Sequence, residues 1–157
     1  MNIEIWSIGK DHDPFIAEGI SFYEKRLKPY CTTQLIRIPP PRRSGNTTAA
    51  QSLLLEEKII LDKLQPSHYL ILLDEHGQQL TSKALANNIQ DIMNKGCKTL
   101  VFLIGGPWGV SDVIKQTARK TISLSAFTFP HQLVRLIMFE QLYRAFSILH
   151  NSPYHHE

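Results

Sequence analysis

Three short segments of the chain carry residue types that chemistry needs. The first is Leu103-Ile104-Gly105-Gly106-Pro107-Trp108-Gly109, where adjacent glycines follow an apolar run. Glycines in that place either let a ligand approach the backbone or close a tight strand-to-helix turn. The spacing is neither G-x-G-x-x-G nor G-x-x-x-x-G-K, which argues against a dinucleotide fingerprint and a P-loop. The second segment is Ser125-Ala126-Phe127-Thr128-Phe129-Pro130-His131. Its two phenylalanines either wall a slot for a planar ring or fill the core, and His131 can cap the helix that follows or titrate near neutral pH. The third is the ending Asn151-Ser152-Pro153-Tyr154-His155-His156-Glu157. A polar, Pro-containing tail should fray, yet it holds a ring and imidazoles suited to stacking on a base and moving a proton. Adjacent His155 and His156, even with His150, do not easily face one ion, and no Cys or Asp joins them at ligand spacing. No metal site is expected.

The elements that must position these segments follow from periodicity. Ile3–Ile8 reads as a strand with Ile3 and Ile5 on one face and Trp6 and Ile8 on the other. Pro14 opens a helix to Leu27, whose stripe is Ile16, Ile20, Tyr23 and Leu27. Gln34–Ile38 is a second strand, stopped by three prolines, and Thr47 or Thr48 caps a helix to about Leu64. His68–Leu73 and Thr99–Ile104 are apolar throughout, as strands buried on both faces are. Between them Ser82–Lys95 carries Leu85, Ile89 and Ile92 on one stripe and ends at Gly96. A short helix Ser111–Arg119, a strand Thr121–Ser125 and a helix Leu133–Leu149 complete the chain. Strands alternating with helices predict an α/β fold, a parallel sheet covered on both sides. Ligands in such a sheet bind at the carboxyl ends of strands, here Asp74–Gly77, Gly105–Gly109 and Ser125–Pro130.

Composition bounds what this scaffold can do. The chain has 157 residues, suited to one domain over 1–157, and 43% apolar against 20% charged residues excludes disorder. A net charge of +3 is too small for a purely electrostatic nucleic-acid arm, so an RNA or DNA partner would be met by a local patch. Cys31 and Cys97 form no disulfide framework, which suggests reduced thiols in a cytosolic protein. The alternating N-terminus lacks the charged start of a signal peptide, and no apolar run approaches a membrane span.

Four motifs together resemble one family: Leu-Ile-Gly-Gly-Pro-x-Gly at 103–109, Leu-Ser-Ala-Phe-Thr-Phe-Pro-His at 124–131, Glu-Gln-Leu-Tyr-Arg-Ala at 140–145, and the Asn-Ser-Pro-Tyr-His-His-Glu ending. The chain is similar over its whole length to the ribosomal RNA large subunit methyltransferase H (RlmH) family of the SPOUT class. That resemblance implies an α/β sheet with a C-terminal trefoil knot, and a cytoplasmic homodimer. It implies S-adenosylmethionine-dependent methylation of N3 of a pseudouridine in 23S ribosomal RNA on the assembled ribosome, with neither DNA nor membrane as partner. Carried over by position, the cofactor contacts fall on Leu73, Gly105, Leu124, Ser125, Ala126, Phe127, Thr128 and Phe129. Leu73, Leu124 and Phe129 would sandwich a flat adenine, and Gly105 would let the main chain come close. For catalysis, His155 is expected to accept or position the N3 proton, Tyr154 to stack on or hydrogen-bond the base, and Arg144 to stabilise ring charge or grip phosphate. The tail would act on the partner's cofactor. Lys10, Lys25, Arg26, Lys28, Arg42 and Arg43, with Arg135 and Arg144 nearer the site, would meet RNA. His156 and Trp108 depart from the family pattern. A non-catalytic ribosome-binding factor of the same fold, or a SPOUT enzyme acting on another RNA, would share most of these features.

Overall fold

The computed structural model describes residues 1–9, 13–41 and 47–154. Its elements are β1 (Asn2–Ile8), α1 (Pro14–Leu27), β2 (Thr32–Ile38), α2 (Ala49–Lys63), β3 (His68–Gln79), α3 (Ser82–Asn94), β4 (Thr99–Ile104), α4 (Asp112–Thr117), β5 (Lys120–Ser123) and α5 (His131–Leu149). The strands form one sheet in the order β2-β1-β4-β3-β5, and every pairing is parallel.

Side-chain alternation along each strand sorts the core into two layers. Ile3, Ile5, Ile71, Leu100, Phe102 and Ile104 face one side, where α1, α3 and α5 pack. Trp6, Ile8, Leu70, Leu72, Val101 and Leu103 face the other, with Ile60 of α2 and Ile114 of α4. Each such side chain contributes roughly 1.5–3 kcal/mol when fully buried. The steps β1→β2 and β3→β4 run one way along the sheet with their helices on the first face. The steps β2→β3 and β4→β5 run the other way with theirs on the second, so all four crossovers share one hand.

Helix starts follow local chemistry. Thr48 and Gln51 form a reciprocal capping box on α2, and the Thr81 and Ser111 hydroxyls accept from Ala84 and Ile114 amides at the starts of α3 and α4. Gly96, at φ +74°, lets the chain leave α3.

Three of the boundaries that differ from the sequence reading lie at the site. The strand expected to stop at Leu73 continues to Gln79. Ile122 of β5 lies opposite both Leu73 and Gln78, so the intervening residues bulge out of the ladder. Gly77 permits this, because a Cβ there would stand 2.6 Å from the Ile122 carbonyl carbon. The final helix begins at His131 rather than Leu133, with Pro130 as its N-cap, so His131 is the first helical residue and not the cap. β5 ends at Ser123, which leaves Leu124 and Ser125 in the following loop.

Candidate active site

A cavity of about 350 Å³ lies where β3, β4 and β5 end. The β3 bulge supplies Leu73, Asp74 and Glu75; the turn after β4 supplies Gly105, Gly106, Pro107 and Gly109; the loop after β5 supplies Leu124, Ser125, Phe127, Thr128 and Phe129. His131 and Val134 close it from α5. Seven of the eight expected cofactor contacts therefore converge, drawn from three loops far apart in sequence. Ala126 is exposed and is not among the lining residues.

Each loop has its own internal bracing. In the first, Asp74 Oδ1 accepts from the His76 amide at 2.9 Å and lies 3.0 Å from its Nδ1. Burial raises the Asp74 pKa, but these His76 contacts outweigh it and hold the carboxyl below its usual range. In the second, the Gly109 amide donates to the Gly106 carbonyl at 3.0 Å. A Cβ on Gly105 would stand 2.8 Å from the Gly109 carbonyl oxygen and 2.9 Å from Val110 Cγ1. The glycine is thus required by the fold of the turn itself, which then presents its backbone to the cavity. In the third, Ser123 donates its hydroxyl to the Ser125 carbonyl and the Phe127 amide donates to Ser125 Oγ. Phe127 is 78% exposed, so it does not fill the core, while Phe129 is half-buried.

The walls suit a flat, largely apolar group with a polar edge, with Leu73, Leu124 and Phe129 as apolar surface and open loop backbone beside them. Asp74 and Glu75 add negative charge at the rim, complementary to a cationic ligand. The sequence reading named the strand end Asp74–Gly77 that holds them but gave the two carboxylates no role.

Two of the expected catalytic residues, Arg144 and Tyr154, are not among the residues that line this cavity. Arg144 and Tyr154 lie toward the far end of α5, roughly 20 Å along the helix from His131. Arg144 Nη2 meets Glu140 Oε1 at 2.8 Å, and its guanidinium stands 5.0 Å from the Tyr154 ring centre. Tyr154 donates to Glu140 Oε1 at 3.3 Å. Burial, then hydrogen bonding with Tyr23, pushes the Tyr154 hydroxyl up to about 12, so it acts as a hydrogen-bond donor and not as a base near neutrality. His155 and His156 lie outside the described residues, as do Lys10, Arg42 and Arg43.

One expected RNA contact is corrected by its surroundings. Arg135 is 1% exposed, with Nε donating to Ser7 Oγ at 2.7 Å and Nη2 to the Ile8 carbonyl at 3.3 Å, so it is no surface contact. Arg26 stays exposed, with its guanidinium over the Phe22 ring at 4.1 Å and 5.5 Å from the Tyr143 ring centre.

Comparison with known proteins agrees with this fold. A family model described as "Predicted SPOUT methyltransferase" matches residues 1–155. The chain is 45% identical over 156 residues to the ribosomal RNA large subunit methyltransferase H of Cytophaga hutchinsonii, covering 99% of this chain and 100% of that protein. Proteins of the same name are 42% identical in Parabacteroides distasonis, with both chains covered at 100%, and 38% identical in Natranaerobius thermophilus, at 99% and 100%. Among solved structures, a probable methylase family protein from Haemophilus influenzae Rd KW20 matches with a TM-score of 0.55 at 15% identity. That match covers 95% of this chain and 66% of the other, and is a likeness of fold.

Proposed function

The chain belongs to the SPOUT methyltransferase family, and from that premise we propose that it methylates N3 of a pseudouridine in 23S ribosomal RNA on the assembled ribosome, using S-adenosylmethionine. The observation that carries this reading is the cavity at the ends of β3, β4 and β5, built by seven of the eight expected cofactor contacts. Its apolar walls fit an adenine ring, its open loop backbone can read the ring's edge, and the Asp74 and Glu75 carboxylates suit a cation.

When bound, S-adenosylmethionine supplies an electrophilic methyl whose C–S bond breaks, the electron pair staying on sulfur, as the N3–CH3 bond forms. The chain's own residues must do the rest. N3–H is a weak acid, so its proton must leave before or during attack, and a positioned base contributes typically ~10²–10⁴-fold. His155 is assigned as the group that accepts or positions this proton. Tyr154, held as a donor, hydrogen-bonds or stacks on the target base, and Arg144 stabilises charge developing on the ring or holds phosphate.

The separation of Arg144 and Tyr154 from their own cavity supports a homodimer in which the tail of one copy completes the other's site. Membership of the SPOUT methyltransferase family supports a threaded, knotted C-terminal part. Among the described residues no helix is long and apolar enough to cross a membrane, and ribosome substrate implies a cytoplasmic setting.

Calorimetric titration with S-adenosylmethionine should give a binding isotherm. Mass spectrometry of 23S RNA from a strain lacking the gene should show one methyl missing, restored on adding protein and donor to vacant ribosomes. The net charge is only +3, which gives weak electrostatic attraction to naked RNA, so the isolated stem-loop should be a poor substrate. Absence of donor binding, or equal turnover on a short oligonucleotide, would contradict the assignment.

A further inference from the structure

A second cavity, of about 650 Å³, opens beside the first, over the ends of β1 and β2. Pro107 and His131 line both, so the two spaces share a wall. Its apolar surface comes from Ile8, from Pro40 and Pro41 just past β2, and from Pro130, giving flat faces without long flexible side chains. Two charged groups of opposite sign sit in its lining. Arg135 is 1% and Glu56 2% exposed, and the Glu56 carboxylate approaches Gly106 so closely that a Cβ there would stand 2.9 Å from Oε2.

This mixture narrows the occupant. The opposite charges of Glu56 and Arg135 offset each other, so the lining favours neither a phosphate nor a free cation. A neutral planar ring with apolar faces and an edge of carbonyl and N–H groups meets both the prolines and the mixed polarity. Burial, helped by the charge of Arg135, holds His131 below the usual imidazole range, so the shared wall is neutral at pH 7 and does not repel a sulfonium on its far side.

We propose that this second cavity is the acceptor site: the uracil-type ring of the target nucleotide enters it between the proline faces, its N3 edge toward the wall at His131. This rests on the methyltransferase reading above. The buried charge of Arg135 then lies where negative charge grows on the ring, as N3 gives its proton to the base assigned above and forms its bond to the donor's methyl. Arg135 is thereby an electrostatic component of the acceptor site, reached only by a base extruded from its stack.

The test fills the space from its outer wall. Pro40→Trp and Pro41→Trp, in the full-length protein, place an indole in the second cavity without touching the first. Calorimetry with S-adenosylmethionine should give unchanged donor affinity in both. Single-turnover methylation of vacant ribosomes lacking the modification should fall by about 100-fold or more. Pseudouridine nucleoside added to the wild-type protein should shift the Gly9 amide and Arg135 Nε resonances, and should not do so in the Trp variants. Wild-type turnover in either variant, shifts that persist in them, or absence of shifts in the wild type would overturn the proposal. So would loss of donor binding along with turnover, which would make the second space part of the first. Failure of the wild-type protein to bind donor at all would instead defeat the functional reading itself.

Discussion

His131 carries the clearest consequence at the scale of single residues, because it stands between two cavities with Arg135 one helical turn away. Its depressed pKa means that the folded state binds fewer protons than the unfolded chain as pH falls below about 6.5. The stabilisation is therefore present above that value and is lost as pH falls toward the lower folded pKa. We expect an NMR titration to place the His131 imidazole below its ordinary range, and His131→Gln to flatten the fall in stability across that window. Gly105 gives a second prediction. Gly105→Ala must push the Gly109 carbonyl or Val110 aside, costing roughly 1–3 kcal/mol. Thermal unfolding and donor titration should both report it, since the same turn walls the site. The glycine pair was visible in the sequence, but its reason was not. The closing partner, Gly109, is near in sequence, while Glu56, packed against Gly106, comes from another helix.

Among the secondary-structure elements, those governed by local chemistry match their sequence signals closely. Thr48 and Gln51, three apart, predict a helix start and form the reciprocal box that caps α2. Thr48→Ala should cost about 1 kcal/mol, read as a lower urea midpoint at unchanged slope. The stripe Ile16, Ile20 and Leu27 is buried, as its spacing requires. The extension of β3 was not legible, because Asp74-Glu75-His76-Gly77 has the composition of a turn. It bulges and re-pairs because β5 lies alongside and Gly77 lets the Ile122 backbone close in. That bulge brings two carboxylates to the cavity rim.

For the molecule as a whole, the distance between the cavity and Arg144 with Tyr154 along α5 predicts complementation between copies. A chain carrying Gly105→Trp, blocked at the donor cavity, and a chain carrying Tyr154→Ala should each form weakly active homodimers. Mixed and refolded together, they should regain methylation, because one mixed site combines an intact cavity with an intact tail. Mixtures no more active than the separate variants would show that each chain completes its own site. Exposed Phe15 and Phe22 on α1 are apolar surface available for such pairing.

By itself the sequence determined the alternation of strands and helices, the two-sided burial of the central strands and the three loops that line the first cavity. These depend on periodicity and turn residues, which act over a few positions along the backbone. Only the tertiary structure decided the sheet order, the bulge that carries Asp74 and Glu75, the burial of Arg135 and the wall shared by two cavities. Those features come from side chains and strands distant in sequence that meet only once the sheet is assembled, and no local pattern encodes which of them will touch.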